Sequence, residues 1–122
     1  GRSIEFIVCL LGVLRSNALY MVIDRDTPTT RLDEMVLTSK AKLLICTQED
    51  NKSFEKIECN VIDIKTLLSK SKTLSPLTIL VTNSLFPLNI VFTSGSQGAA
   101  KGVVTTHQNI INRVRWLSKL IS

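Results

Sequence analysis

In the stretch VFTSGSQGAAKGVVTTH, from Val91 to His107, the glycines Gly95, Gly98 and Gly102 punctuate Thr93, Ser94, Ser96 and Gln97, and a single lysine, Lys101, stands among them. Glycine lets a backbone turn through positive φ and aim several N–H groups at one point, which makes a concave anion site. The hydroxyl and amide side chains add donors and the lysine adds a mobile positive charge. Together they meet the needs of a polyphosphate, whose oxygens take many hydrogen bonds and partial neutralisation. The segment is not a Walker A loop, because Lys101 is followed by Gly102 and a run of β-formers rather than by Ser or Thr and a helix. Nor does it carry a dinucleotide-binding fingerprint. By its residues alone it is either a polyphosphate cradle or a hairpin turn with an incidental lysine.

The elements around it follow from periodicity. PLNIVFTSG reads as a strand and GVVTTH as a second, so short a connection between them favouring an antiparallel hairpin. The closing HQNIINRVRWLSKLIS puts Ile110, Val114, Leu117 and Ile121 on one face of a helix, with Arg113, Arg115 and Lys119 off it. His107 ends the strand and enters that helix, and Trp116 is expected to pack against it.

Upstream, Ile4, Ile7, Val8, Leu11 and Leu14 have helical spacing, with Ser3 as N-cap and Asn17 as the left-handed residue that closes the turn. ALYMVID reads as a buried strand ending at Asp24, whose carboxylate has no partner acid or base and is taken as structural. Thr27 is the expected N-cap of a helix with Pro28 at its first position and an apolar face of Leu32, Met35 and Val36. KLLICT reads as the next strand. Two strands joined by a helix suggest a right-handed βαβ crossover and a parallel sheet. Between residues 48 and 86 the chain is more polar, with NVIDIKTLL as a short strand running into a helical turn. The fold class is therefore α/β, a βαβ unit followed by the glycine hairpin and a helix.

These stretches resemble the signatures of one family. FTSGSQGAAKGVV is similar to the phosphate-loop signature of the adenylate-forming, or AMP-binding, superfamily, written Y/F-T-S-G-S/T-T-G-x-P-K-G-V, with Thr93, Ser94, Gly95, Ser96, Gly98, Lys101 and Gly102 matching. LRSNALYMVID resembles a second signature, LKAGxAYVPID, and continues as DRDTPTTRL where the family has DPxxPxxRL. HQNIINRVRW is similar to the HxNLxNRLxW run of the amino-acid-activating adenylation domains of nonribosomal peptide synthetases. The resemblance implies that residues 1–122 are part of an adenylation domain without its C-terminal subdomain. It also implies that Thr93, Ser94, Gly95, Ser96, Gln97, Gly98 and Lys101 would hold the β and γ phosphates of ATP. In such enzymes a carboxylic or amino acid attacks the α phosphorus with Mg2+ present, giving an acyl-adenylate and pyrophosphate, and the acyl group usually passes to a carrier-protein thiol. Gln97 departs from the family's threonine and Ala100 from its proline, and both departures point to weaker nucleotide binding. The motifs that would supply the magnesium-binding glutamate, the ribose-binding aspartate and the C-terminal lysine are not found in these residues. On this reading the chain alone is inactive, its alternative being a non-catalytic remnant or binding module.

Composition narrows the remaining classes. Hydrophobic residues make up 44% of the 122, which suits a folded domain rather than a disordered tail. The net charge of +5 comes from basic residues spread along the chain, with no basic stripe interleaved with aromatics, so a nucleic-acid partner is not expected. The most apolar run, IEFIVCLLGVL, falls short of the roughly 20 residues that span a bilayer, so no membrane partner is expected either. Cys9, Cys46 and Cys59 have no C-x-x-C spacing and are read as free thiols in a reducing, cytoplasmic setting.

Overall fold

A computed structural model describes residues 3–51, 54, 57–75, 83–93 and 101–121. In chain order the elements are α1 (Ile4–Arg15), β1 (Tyr20–Met21), α2 (Thr29–Ser39), β2 (Leu43–Cys46), α3 (Gln48–Asn51), β3 (Asn60–Asp63), α4 (Ile64–Ser71), β4 (Pro87–Thr93), β5 (Lys101–Thr106) and α5 (His107–Ile121). The α/β class is as expected.

The strands form two sheets. One has the order β1-β4-β5, with β1 parallel and β5 antiparallel to the central β4. The other is the parallel pair β2-β3, in register from Leu43 opposite Asn60 to Cys46 opposite Asp63 and joined through α3. The parallel pairing foreseen from the βαβ pattern is present with different partners. β1 and β2, joined by α2, lie in separate sheets; β1 takes β4, roughly seventy residues on, and β2 takes β3. Periodicity reports that strands exist, whereas a long-range partner is chosen by which faces can be covered.

The buried apolar residues among those described are Leu32, Met35 and Val36 of α2 and Leu88 of β4. The helical face read for α2 is thus the one that is buried. Its start differs from expectation: the N-cap is Pro28 and not Thr27. Pro28 has the helical φ of −56° but an extended ψ of 143°, so the helix begins at Thr29 without a side-chain cap. The Thr27 N–H closes a turn onto the Asp24 carbonyl instead. The preceding strand is shorter than ALYMVID, since only Tyr20 and Met21 enter the ladder.

α1 starts as foreseen, the Ser3 hydroxyl accepting from the Phe6 N–H at 3.2 Å, and Asn17 follows it at φ 57°. Its covered face does not match the first apolar spacing. Phe6, Cys9, Leu10, Val13 and Leu14 are half-buried, while Ile4, Ile7, Val8 and Leu11 are exposed. The helix is apolar around most of its circumference, so two stripes compete and contact with β1 covers the other one. NVIDIKTLL folds as read, β3 running directly into α4, whose first turn is capped by the Asp63 carboxylate accepting from the Thr66 N–H at 3.0 Å. No helix among the described residues is long and apolar enough to cross a membrane.

Candidate phosphate-binding site

β4 and β5 form the expected hairpin, and its last register pair is Thr93 opposite Lys101. Valine, isoleucine and phenylalanine on β4 and valine and threonine on β5 suit a pleated ladder. Asn89 and Thr105 are also register partners, and the Thr105 hydroxyl donates to the Asn89 side-chain oxygen. Gly102 faces Phe92 across the ladder, and a Cβ there would lie 3.1 Å from Ile90 Cγ2 and 3.2 Å from Phe92 Cζ. A glycine at this point lets the phenyl ring lie close over β5 just below the loop.

The sequence-predicted site residues divide accordingly. Thr93 and Lys101 are brought together at the mouth of the hairpin, where the Thr93 hydroxyl donates to the Lys101 carbonyl at 3.5 Å, the long limit for such a bond. Ser94, Gly95, Ser96, Gln97 and Gly98 lie outside the described residues, as does Ala100. Lys101 is exposed, and among the described residues its ammonium has no hydrogen bond or ion pair. A cation held at the junction of two strands and left uncompensated suits a polyphosphate anion.

A residue that the sequence reading did not place at the site joins it from α2. The Arg31 guanidinium donates through Nη2 to the Thr93 carbonyl at 3.3 Å, across 62 positions of sequence. The only signal for it in the sequence is its place in the TRL portion of the second signature, which carries no indication of what it touches. Arg31 also lines a cleft of about 420 Å³ with Val22, Ile23, Asp24, Thr27, Pro28, Met35 and residues Asn89 to Phe92 of β4. The cleft opens where β1 ends beside β4, so the segment Val22–Asp24 that leaves the ladder forms one wall.

The loop before α2 is tied to the second sheet. Arg25 donates through Nε to Asp50 at 2.9 Å and through Nη2 to Glu49 at 2.8 Å, both on α3. These contacts, the Glu49 bond foremost, raise the guanidinium pKa. The Asp50 carboxyl is held below its usual range, chiefly by the Thr47 hydroxyl that donates to it and further by Arg25. Asp24 itself is exposed and contributes its carbonyl to the Thr27 turn, in keeping with a structural role.

The entry into α5 is built more fully than the sequence suggested. Thr106 and Asn109 cap each other, the Asn109 side-chain oxygen accepting from the Thr106 N–H at 2.8 Å and the Thr106 hydroxyl accepting from the Asn109 N–H at 3.3 Å. His107 begins the helix as expected, and its N–H donates to the Phe86 carbonyl at 3.2 Å. Trp116 departs from expectation. It is 60% exposed, because α5 follows the edge strand β5 directly and no described element covers that face.

The cysteines are free thiols, each half-buried, and burial pushes all three pKa values up. No group of three or more His, Cys, Asp or Glu among the described residues could hold a metal ion.

The family model for AMP-binding enzymes matches residues 1–121. Bacitracin synthase 1 of Bacillus licheniformis is 34% identical over 116 residues, which are 93% of this chain and 2% of the synthase. The chain therefore spans a very small part of that relative's length. Among solved structures, the N-terminal subdomain of Klebsiella oxytoca NpsA superposes with a TM-score of 0.79 at 25% identity, over 89% of this chain and 28% of that one. A fatty acyl-adenylate ligase from L. pneumophila, solved with acyl adenylate and pyrophosphate, shares the fold with a TM-score of 0.76 at 20% identity, over 94% of this chain and 21% of the ligase. With a match from end to end and the fold of part of an adenylation N-terminal subdomain, the chain belongs to the AMP-binding enzyme family.

Proposed function

We propose that the β4–β5 hairpin binds the polyphosphate of ATP, as the phosphate-loop portion of an adenylate-forming ligase that activates a carboxylic or amino acid. The observation that carries this reading is the pairing of Thr93 with Lys101, which sets an exposed ammonium, unpaired among the described residues, at the point where the two strands meet. In this proposal Thr93, Ser94, Ser96 and Gln97 donate hydrogen bonds to phosphate oxygens, and the backbone at Gly95 and Gly98 approaches them closely. Lys101 neutralises charge that develops on the departing pyrophosphate. These residues position and stabilise; none forms a covalent bond. When bound, ATP would supply the α phosphorus that the acid's carboxylate attacks.

We read residues 1–122 as part of an adenylation domain, a part that by itself holds polyphosphate without completing the reaction. A carrier-protein thiol would accept the acyl group in the complete enzyme; NpsA has been solved fused to ThdA as an adenylation–PCP di-domain. A second reading, a binding module or remnant with weak or no nucleotide affinity, is favoured by Gln97 and Ala100, which depart from the family pattern at the loop.

Calorimetric titration of the 122-residue chain with ATP and with tripolyphosphate separates the two. Binding that Lys101→Ala weakens roughly tenfold or more, the size of a lost charge-assisted hydrogen bond, supports the phosphate loop. Absence of binding by the unaltered chain supports the remnant. Exchange of pyrophosphate into ATP is expected to be absent in both cases, and its appearance would show that the chain is a complete catalyst.

A further inference from the structure

We propose that Arg31 is a positioning residue for the hairpin's phosphate-binding end, holding the last carbonyl of β4 so that Thr93 and Lys101 keep their register at the mouth of the loop. This rests on the phosphate reading for its ligand, but the geometry that motivates it does not.

Arg31 stands on α2, the helix that carries buried apolar residues among the described elements. The next residue, Leu32, is 1% exposed, and Met35, one turn on from Arg31, is buried and lines the same cleft. The Cα of Arg31 therefore has little freedom, and its side chain reaches from a fixed base. Its guanidinium donates to the carbonyl of Thr93, the final residue of β4. On the other arm Gly102 lies against Phe92 and Ile90, so β5 is located by contact with the strand it faces. β5 is thus held by pairing with β4 and by contact with α2, and the end of β4 takes, beyond its ladder pairing, a hydrogen bond from α2.

The bond has particular value in this sequence. A proline before Lys101 would restrict the backbone as the loop re-enters β5, and Ala100 imposes no such restriction. The anchoring of Thr93 at the end of β4 carries correspondingly more weight. Arg31 suits that task because its donors are set in a planar fork. Among the described residues no carboxylate pairs with it, so nothing draws it away from the Thr93 carbonyl.

The test uses the complete 122-residue chain with tripolyphosphate as ligand. Arg31→Ala is expected to weaken binding about three- to tenfold, the worth of one hydrogen bond that aligns the site. The melting temperature should stay within about 2 °C, since the bond is exposed. Arg31→Lys, which keeps a charged donor, should recover part of the affinity. Arg113→Ala, which removes the same charge from α5, should leave binding unchanged and so exclude a simple loss of net charge. Amide exchange across residues 93–101 without ligand should quicken in Arg31→Ala alone among these variants.

Unchanged affinity in Arg31→Ala, alongside a loss in Lys101→Ala, would overturn the positioning role and leave the phosphate reading standing. If the unaltered chain binds no tripolyphosphate, the phosphate reading fails. Amide exchange then decides the positioning role alone, quicker exchange at 93–101 sustaining it and unchanged exchange overturning it.

Discussion

The apolar stripe of α2 is buried at Leu32, Met35 and Val36, whereas that of α5 runs from half-buried Ile110 past Val114 and Leu117 to Ile121, which is 85% exposed. Their ends are made the other way round. α2 starts without a side-chain cap and stops at Lys40 in the left-handed conformation, at φ 54°. α5 starts with the reciprocal Thr106–Asn109 cap, and its first amides donate to the carbonyls of Phe86 and Ser84. Covering a helix and capping it are separate sources of stability. α2 is held along its flank and tolerates an uncapped start, its far end being closed by the Lys40 and Ala41 amides on the carbonyls of Leu37 and Val36; α5 is held at its N-terminus and carries a bare flank.

The sharpest way to break this contrast is truncation of the two stripes. Leu32→Ala should cost about 3 kcal/mol in urea unfolding, the transfer energy of a buried leucine plus the cavity left behind. Val114→Ser, at a position 58% exposed, should change stability by less than about 0.5 kcal/mol. Equal costs at the two positions would mean that the α5 stripe is covered in solution, and the contrast would collapse.

The caps test the other half. Thr106→Ala should destabilise by about 1 kcal/mol, the usual worth of an N-cap, with amide exchange quickening first at the start of α5. Exchange rising evenly over the whole chain would instead tie this cap to global stability. Lys40→Gly is the smallest expected change, a gain of about 0.5 kcal/mol, because glycine adopts positive φ without a Cβ clash but loses more backbone entropy on folding. A loss of stability there would show that the lysine side chain contributes to the end of α2 by contact.

Much of this was legible in local pattern. Ser3 and Asn17 were readable as the ends of α1, NVIDIKTLL as a strand entering a helix, and the two arms of the hairpin as β-formers around glycines, because each depends on neighbours within a few residues. What failed did so where two local signals were equal or where the answer lay far away. α1 offers two apolar faces, and its own residues hold nothing to choose between them. Trp116 sits in a helical pattern that speaks of an amphipathic face without saying what covers it. At Pro28 the ring sets φ, but the residue's extended ψ decides where the helix starts.

The sequence by itself determined the α/β class, the glycine hairpin with Lys101 at its rim, and a family resemblance carried by three separated motifs, since all of these are written in residue type and short spacing. Only the tertiary structure decided that β1 pairs with β4 and β2 with β3, and that Arg31 meets the carbonyl of Thr93. The reason is physical: a strand partner or a hydrogen bond across 62 residues is selected by which surfaces come to lie together once the chain has packed, and local spacing carries no record of that choice.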